Sequence, residues 1–353
     1  MAISNTKKSA SPDGCARVLI VDDSAVARAV IGRMVDAANG FAVAAAVADV
    51  HAALAYLKGE RVDIVLLDIE MPGIDGLTAL PELLAAGQGA KVLVVSSSCA
   101  EGAAATIQAL TLGAADTLVK PGVGNFVGRF ADVLTDKLTR LADHDQRQAV
   151  AVMPAVVPRL VGNDFDVVAI GASTGGIHAL GKLLRGIPAS FQLPILVTQH
   201  LPATFMPYFA AQLAVLGGRP AVVAEDHMRL LRGRIYIAPG DAHMRCARFS
   251  DGVSLRLSTE KAESGCMPSV DPMLETVAEV FGARALAIVL SGMGRDGAAG
   301  AKIVAAAGGV VAAQDRATSV VWGMPGAVVN GGYAHVVIPP DEIGHLIAAQ
   351  RRP

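Results

Sequence analysis

The chain alternates short, wholly apolar runs with longer stretches in which apolar residues recur at helical spacing. Over the first 141 residues the apolar runs fall at 18–21, 42–46, 64–67, 92–95 and 117–119. The helical stretches fall at 25–37, 50–58, 77–85, 103–112 and 126–141. Runs that are apolar throughout belong to strands covered on both faces, so five βα units predict a five-stranded parallel sheet between helical layers. Residues 1–15 are polar and predict a loose tail. The pattern breaks at 142–163, where charges mix with two prolines, as in a linker. If flexible, such a segment spans roughly 25 Å root-mean-square. Beyond it βα units resume: 167–170 runs into 171–176, 195–198 into a helix after Pro202, and 286–290 into 291–297. A strand at 236–238 and a hairpin around Ser250-Asp251-Gly252 lie between them. The pattern predicts two α/β domains, 16–141 and 164–353, the second larger, doubly wound and mostly parallel, with a hairpin.

Composition narrows the class. A length of 353 residues suits two domains of ordinary size. Aromatics make up only 4% against 52% apolar residues, which fits helices on tightly packed strands better than an aromatic-rich β-sandwich. Neither an uninterrupted apolar stretch of membrane-spanning length nor the apolar core of a signal peptide is present, so a cytoplasmic protein without direct membrane insertion is expected. A net charge of −2, spread along the chain, argues against nucleic acid as a partner. Cys15, Cys99, Cys246 and Cys266 show neither C-x-x-C pairing nor metal-like spacing with histidine, and free, buried thiols are expected.

Ligands of open parallel sheets sit beyond the carboxyl ends of the strands. In the first domain Asp22 and Asp23 follow the first strand, Asp68 the third, Ser96 the fourth, and Lys120-Pro121 the fifth. Clustered carboxylates suit an oxygen-liking divalent cation such as Mg²⁺, the lysine balances phosphate charge, and one carboxylate can serve as nucleophile toward a phosphoryl donor.

In the second domain Gly171-Ala172-Ser173-Thr174-Gly175 fits G-x-S-x-G, which places a serine on a sharp turn from strand to helix. A glycine-rich first turn also suits a dinucleotide, but the G-x-G-x-x-G spacing is absent and no tyrosine has a lysine four residues later. A serine nucleophile needs a base and an orienting carboxylate. His200 after the 195–198 strand and Asp296 in the glycine-rich 291–297 turn sit on strand ends that can converge with Ser173. Spacing leaves His243 open as the base, and places His178 near Ser173 on the following helix.

Two sets of motifs carry a resemblance. VLIVDDS, VLLDIEMPGIDG, VLVVSS and TLVKP, over residues 17–140, resemble the response-regulator receiver family, whose fold is flavodoxin-like. AIGASTGG, TQHLP, YIAPGDAHM, PSVDPML, LSGMGRDGAAG and SVVWGMPGAVV, over 167–329, resemble the chemotaxis protein-glutamate methylesterase family, and the whole chain resembles its receiver-linked form. The first resemblance implies phosphorylation of Asp68, Mg²⁺ on Asp23, Asp68 and the Glu70 carbonyl with Asp22 in support, and Ser96 and Lys120 on the phosphoryl group. It also implies a cis peptide before Pro121 and a histidine kinase as phosphodonor. The second implies a Ser173–His200–Asp296 triad, oxyanion donors at the backbone of Thr174 and Met293, and no cofactor for hydrolysis. Its substrates would be methylated glutamates on the cytoplasmic helices of chemoreceptors, with deamidation of receptor glutamines as a second activity. Two positions depart from these patterns. Thr117 stands where many receivers have an aromatic switch residue, and Cys266-Met267 stand where the methylesterase family usually has basic or imidazole residues. The second departure keeps open a receiver-controlled hydrolase of a different protein ester or amide, and a binding domain without catalysis is the other alternative.

Overall fold

The computed structural model describes residues 14–96, 100–120, 127–142 and 165–349. The expected tail (apart from residues 14 and 15), the expected linker (apart from residue 142), Cys99 and Pro121 with its expected cis peptide lie outside the described residues. The chain divides into two compact units, Met1–Asp145 and Gln146–Pro353.

In the first unit β1 (Ala16–Val21), β2 (Phe41–Val47), β3 (Ile64–Asp68), β4 (Lys91–Ser96) and β5 (Asp116–Val119) form one parallel sheet in the order β2-β1-β3-β4-β5. Helices α1 (Ala25–Ala37), α2 (Val50–Gly59), α3 (Gly76–Ala86), α4 (Ala100–Leu112) and α5 (Val127–Ala142) alternate with the strands. Every residue of β3 is buried, as a strand covered on both faces requires. Ser24, Asp49 and Asp75 cap α1, α2 and α3 by accepting the N–H of the residue three positions on. Since the Ser24 cap stands three residues beyond the end of β1, Asp22 and Asp23 are confined to the carboxyl edge of the sheet. The chain turns to opposite sides after β1, toward β2 and then β3, which opens a crevice between β1 and β3.

The second unit is built on seven parallel strands in the order β14-β13-β12-β6-β7-β9-β8. They are β6 (Val167–Ala172), β7 (Ile195–Gln199), β8 (Ala221–Val223), β9 (Ile235–Ile237), β12 (Ala285–Val289), β13 (Val310–Gln314) and β14 (Val336–Ile338). Helices α6 (Gly176–Arg185), α7 (Met206–Gly217), α8 (Val270–Phe281), α9 (Ala298–Ala306), α10 (Met324–Asn330) and α11 (Pro340–Ala348) connect and cover them. The expected hairpin forms a separate antiparallel pair, β10 (His243–Phe249) with β11 (Gly252–Ser258), and α8 packs against it. Leu196, Tyr236, Met273, Leu274, Val277 and Val289 share the core beneath. The chain leaves β6 for β7 on one side and returns through β12 on the other, so the switch point of this sheet lies between β6 and β12. Among the described residues, no helix is long and apolar enough to cross a membrane.

Candidate active site and acidic cluster

At the switch point three strand ends are tied together by backbone bonds. The Ser173 N–H donates to the Ser291 carbonyl at 3.0 Å, and the His200 N–H to the Ala172 carbonyl at 3.2 Å. Ser173 opens the turn into α6, and Gly175 completes it in the left-handed region at φ 76°, where a side chain would also run into Val320. Gly292 permits the second close approach, because a Cβ there would collide with Met324 Sδ and lie 2.8 Å from Ser173 Cβ.

His200 Nε2 lies 2.8 Å from Asp296 Oδ2. Asp296 is buried and accepts three further bonds: from Ser269 Oγ at 2.7 Å, the Val270 N–H at 2.8 Å and the Asp271 N–H at 3.3 Å. Burial would raise its pKa, but the bonds from His200, Ser269 and Val270 outweigh that and bring it down to about 2. His200 shows the opposite balance. Burial would lower it, yet the bond to Asp296 and the neighbouring Cys266 sulfur raise it to about 9. Desolvation raises Asp271, half-buried beside Asp296, to about 6. With Nε2 committed to Asp296, Nδ1 is the nitrogen left for proton exchange with a nucleophile. Among the described residues the Ser173 hydroxyl makes no hydrogen bond, so histidine and carboxylate are brought together while the serine–histidine bond is unformed. The Met293 N–H meets no acceptor among the described residues, and the Thr174 carbonyl accepts Ser291 Oγ at 2.8 Å.

In the first unit one carboxylate oxygen each from Asp22, Asp23 and Asp68 lies within 4.8 Å of the others. Lys120 Nζ is 2.6 Å from Asp68 Oδ2 and 3.2 Å from Asp22 Oδ2. The second contact lacks hydrogen-bond geometry, which leaves Asp22 Oδ2 buried without a hydrogen-bond donor among the described residues. Glu70 gives its N–H to Asp68 Oδ1 at 3.1 Å. Burial raises the Asp68 pKa, and Lys120 and the Glu70 N–H only partly counter it. Burial draws the Lys120 ammonium down, but Asp68 and Asp22 hold it above its ordinary value. Oxygen-only donors, one of them orphaned, fit a hard divalent cation. Ser96 is fully buried and its Oγ accepts Thr106 Oγ1 at 2.8 Å.

The family description "CheB methylesterase" matches residues 168–347, and "Response regulator receiver domain" matches residues 18–125. A protein-glutamate methylesterase/protein-glutamine glutaminase of Caulobacter vibrioides is 41% identical over 346 residues, covering 95% of this chain and 99% of the relative. One from Paramagnetospirillum magneticum is 39% identical, covering 94% and 95%. The crystal structure of the Thermotoga maritima CheB methylesterase catalytic domain is matched with a TM-score of 0.52 at 35% identity, over 53% of this chain and all of that one. The chain belongs to the CheB methylesterase family. Its first unit is a receiver domain, which supports a phosphorylation site that binds a divalent metal.

Within this CheB-family fold several sequence expectations change. His243 is no rival base: its Nε2 donates to the Glu260 carbonyl at 2.8 Å and its Nδ1 accepts the Ser269 N–H at 2.9 Å, so both nitrogens are used in positioning Ser269. His178 lies on α6, as expected. Of the three described thiols, all expected to be buried, Cys246 is buried, whereas Cys15 and Cys266 are half-buried. Thr117 is buried, and its hydroxyl has no hydrogen-bond partner among the described residues. Spacing did not single out Ser269, Gln199, Ser291 or Arg28. Gln199 Nε2 holds the Ser173 carbonyl at 2.9 Å, and Arg28 Nη1 clamps the Asp22 and Asp23 carbonyls at 2.6 and 2.9 Å. The first three stand inside the quoted motifs, which was the available signal.

Proposed function

We propose that the chain hydrolyses glutamate methyl esters on the cytoplasmic helices of chemoreceptors, and deamidates receptor glutamines, under control of a phosphorylated receiver. The observation that carries the chemistry is the 2.8 Å His200–Asp296 pair beside the Ser173 turn at the β6/β12 switch point. Ser173 Oγ attacks the ester carbonyl while His200 takes its proton through Nδ1. Asp296 fixes the ring and stabilises the imidazolium. The Thr174 and Met293 N–H groups hold the tetrahedral oxyanion. His200 returns the proton to the leaving methanol, or to ammonia from glutamine, and then activates water to free the carboxylate. The hydroxyl–imidazole bond forms with substrate in place, as such bonds often tighten only in the complex.

In the receiver, Asp68 takes the phosphoryl group from a histidine kinase, with Ser96 and Lys120 on its oxygens. Asp23, Asp68 and the Glu70 carbonyl, with Asp22 in support, would hold Mg²⁺, whose charge would offset that of the phosphoryl group. The receiver spans 16–141 and the esterase 164–353, joined by a linker at 142–163 and preceded by a tail at 1–15. The assembly works in the cytoplasm, without nucleic acid and without inserting into the membrane. A second reading, hydrolysis of a different protein ester or amide, is favoured by the 39% exposed Met267 beside Cys266 in place of basic residues. Methanol release from methylated receptor membranes, with and without a small phosphodonor, decides between them. Release that rises with phosphodonor supports the receptor esterase. No release from receptor, alongside turnover of a small ester, overturns it in favour of the second reading.

A further inference from the structure

Sequence spacing gave no metal motif, because Cys266 stands far from His200 along the chain. In space, one ligand atom each of His200, Cys266 and Asp296 lies within 4.8 Å of the others. Imidazole, thiol and carboxylate together form the donor set of a borderline-soft ion, unlike the oxygen-only cluster of the receiver.

We propose that His200, Cys266 and Asp296 form a binding site for a zinc-class divalent ion, and that its occupancy takes His200 away from catalysis. Three protein ligands leave the fourth tetrahedral position to water. Zinc bonds of 2.0–2.3 Å place tetrahedral ligand atoms about 3.3–3.7 Å apart, so the 2.8 Å His200–Asp296 contact opens by about half an ångström and the thiol closes in. The surrounding bonds suit this. Asp296 keeps Ser269 Oγ and the Asp271 N–H on Oδ1 while Oδ2 turns to the ion, and ligating carboxylates are usually held by such outer donors. His243 in turn holds the Ser269 backbone. Cys266 is half-buried, which leaves a path from solvent. Its neighbours within the loop are Ser264 and the exposed Met267, neither a cation that would oppose the ion.

The inhibitory part of the proposal rests on His200 being the base, whereas the binding part does not. The test uses the full chain with Mg²⁺ in large excess, which fills the receiver cluster, and adds Co²⁺ or Zn²⁺. Co²⁺ should produce thiolate-to-cobalt charge-transfer absorption with tetrahedral visible bands, and Cys266→Ser should remove the charge transfer. Zn²⁺ should inhibit hydrolysis of a small ester, reversibly on chelation, and the inhibitory concentration should rise about tenfold or more in Cys266→Ser, which loses the soft ligand. Absence of the charge-transfer band, or its persistence in Cys266→Ser, overturns the site. A Cys266-dependent band without inhibition by saturating Zn²⁺ upholds the site and overturns instead the assignment of His200 as base.

Discussion

Asp68 and Asp296 are both buried aspartates at the switch point of a parallel sheet, each against a cationic partner, and they are provided for very differently. Asp68 accepts two bonds, from Lys120 and the Glu70 N–H, and its pKa rises. Asp296 accepts four, from His200, Ser269, Val270 and Asp271, and its pKa falls to about 2. An under-satisfied carboxylate seeks a cation and a phosphoryl group, and its oxygens remain reactive. A fully satisfied one stays ionised and is suited to orient its neighbour rather than to attack. In the proposed function, one sheet edge thus supports nucleophilic chemistry in the first unit and positioning in the second, with donor supply as the difference. The proposed mechanism gives the reactive oxygen of the second unit to Ser173, whose hydroxyl is unbonded among the described residues.

The sharpest break would come at that serine. Ser173→Ala should lower methanol release by about a thousandfold or more, while circular dichroism and thermal unfolding stay as in the parent chain. Retention of activity would move the nucleophile elsewhere and end the contrast between reactive serine and orienting aspartate.

The two aspartates should also differ in what their removal costs. Asp296→Ala strands the Val270 and Asp271 N–H groups, Ser269 and the His200 ring, and should destabilise the second unit by about 3–5 kcal/mol. Asp68→Ala leaves Lys120 its Asp22 partner and relieves a buried carboxylate, so the first unit should change by no more than about 1 kcal/mol. Separate unfolding transitions for the two units, followed by hydrogen exchange in β3 and β12, would measure this. Equal losses would show that donor supply is not what separates the sites.

Much of this arrangement was legible beforehand because strand ends are marked in sequence by an apolar run that stops at a polar residue. Asp22, Asp68 and Ser96 were found that way, Ser173 by the G-x-S-x-G turn that follows such a run, and α1 has the expected ends at Ala25 and Ala37. Other elements left no such mark. β8 and β14 are three-residue edge strands, and β13 is a short apolar run with no chemistry at its end to draw notice. The choice between His200 and His243 turned on which ring nitrogens the fold had already used, a property of three-dimensional bonding that spacing does not encode. Cys266 reaches His200 through the loop leading into α8, and no periodicity reports that approach.

A smaller effect should follow in the receiver. Asp68→Ala should lose labelling by a small phosphodonor entirely, and with it a stimulation of roughly tenfold, equivalent to about 1.4 kcal/mol of bias between resting and active states. Basal hydrolysis should persist. Labelling that survives on another residue would remove Asp68 from its side of the comparison.

The last and smallest effect is a pH dependence in which activity and stability run in opposite directions. In the proposed mechanism His200 is neutral when it takes the Ser173 proton, and Asp296 together with the Cys266 sulfur raises it to about 9. With a chelator present, kcat/KM on a small ester should therefore climb with pH through that value. The same raised pKa contributes stability that is fully present below the unfolded histidine value of about 6.5 and is lost as pH passes 9. The thermal midpoint of the second unit should then fall over the window in which activity rises. Asp296 adds nothing to that slope, because its depressed pKa contributes stability present above about 4 and lost only as pH drops toward 2. Removing the sulfur in Cys266→Ala takes away one of the two groups holding His200 up, so both curves should move to lower pH together. If the activity limb moves while the stability slope stays where it was, the group that titrates in catalysis is not the imidazole bonded to Asp296.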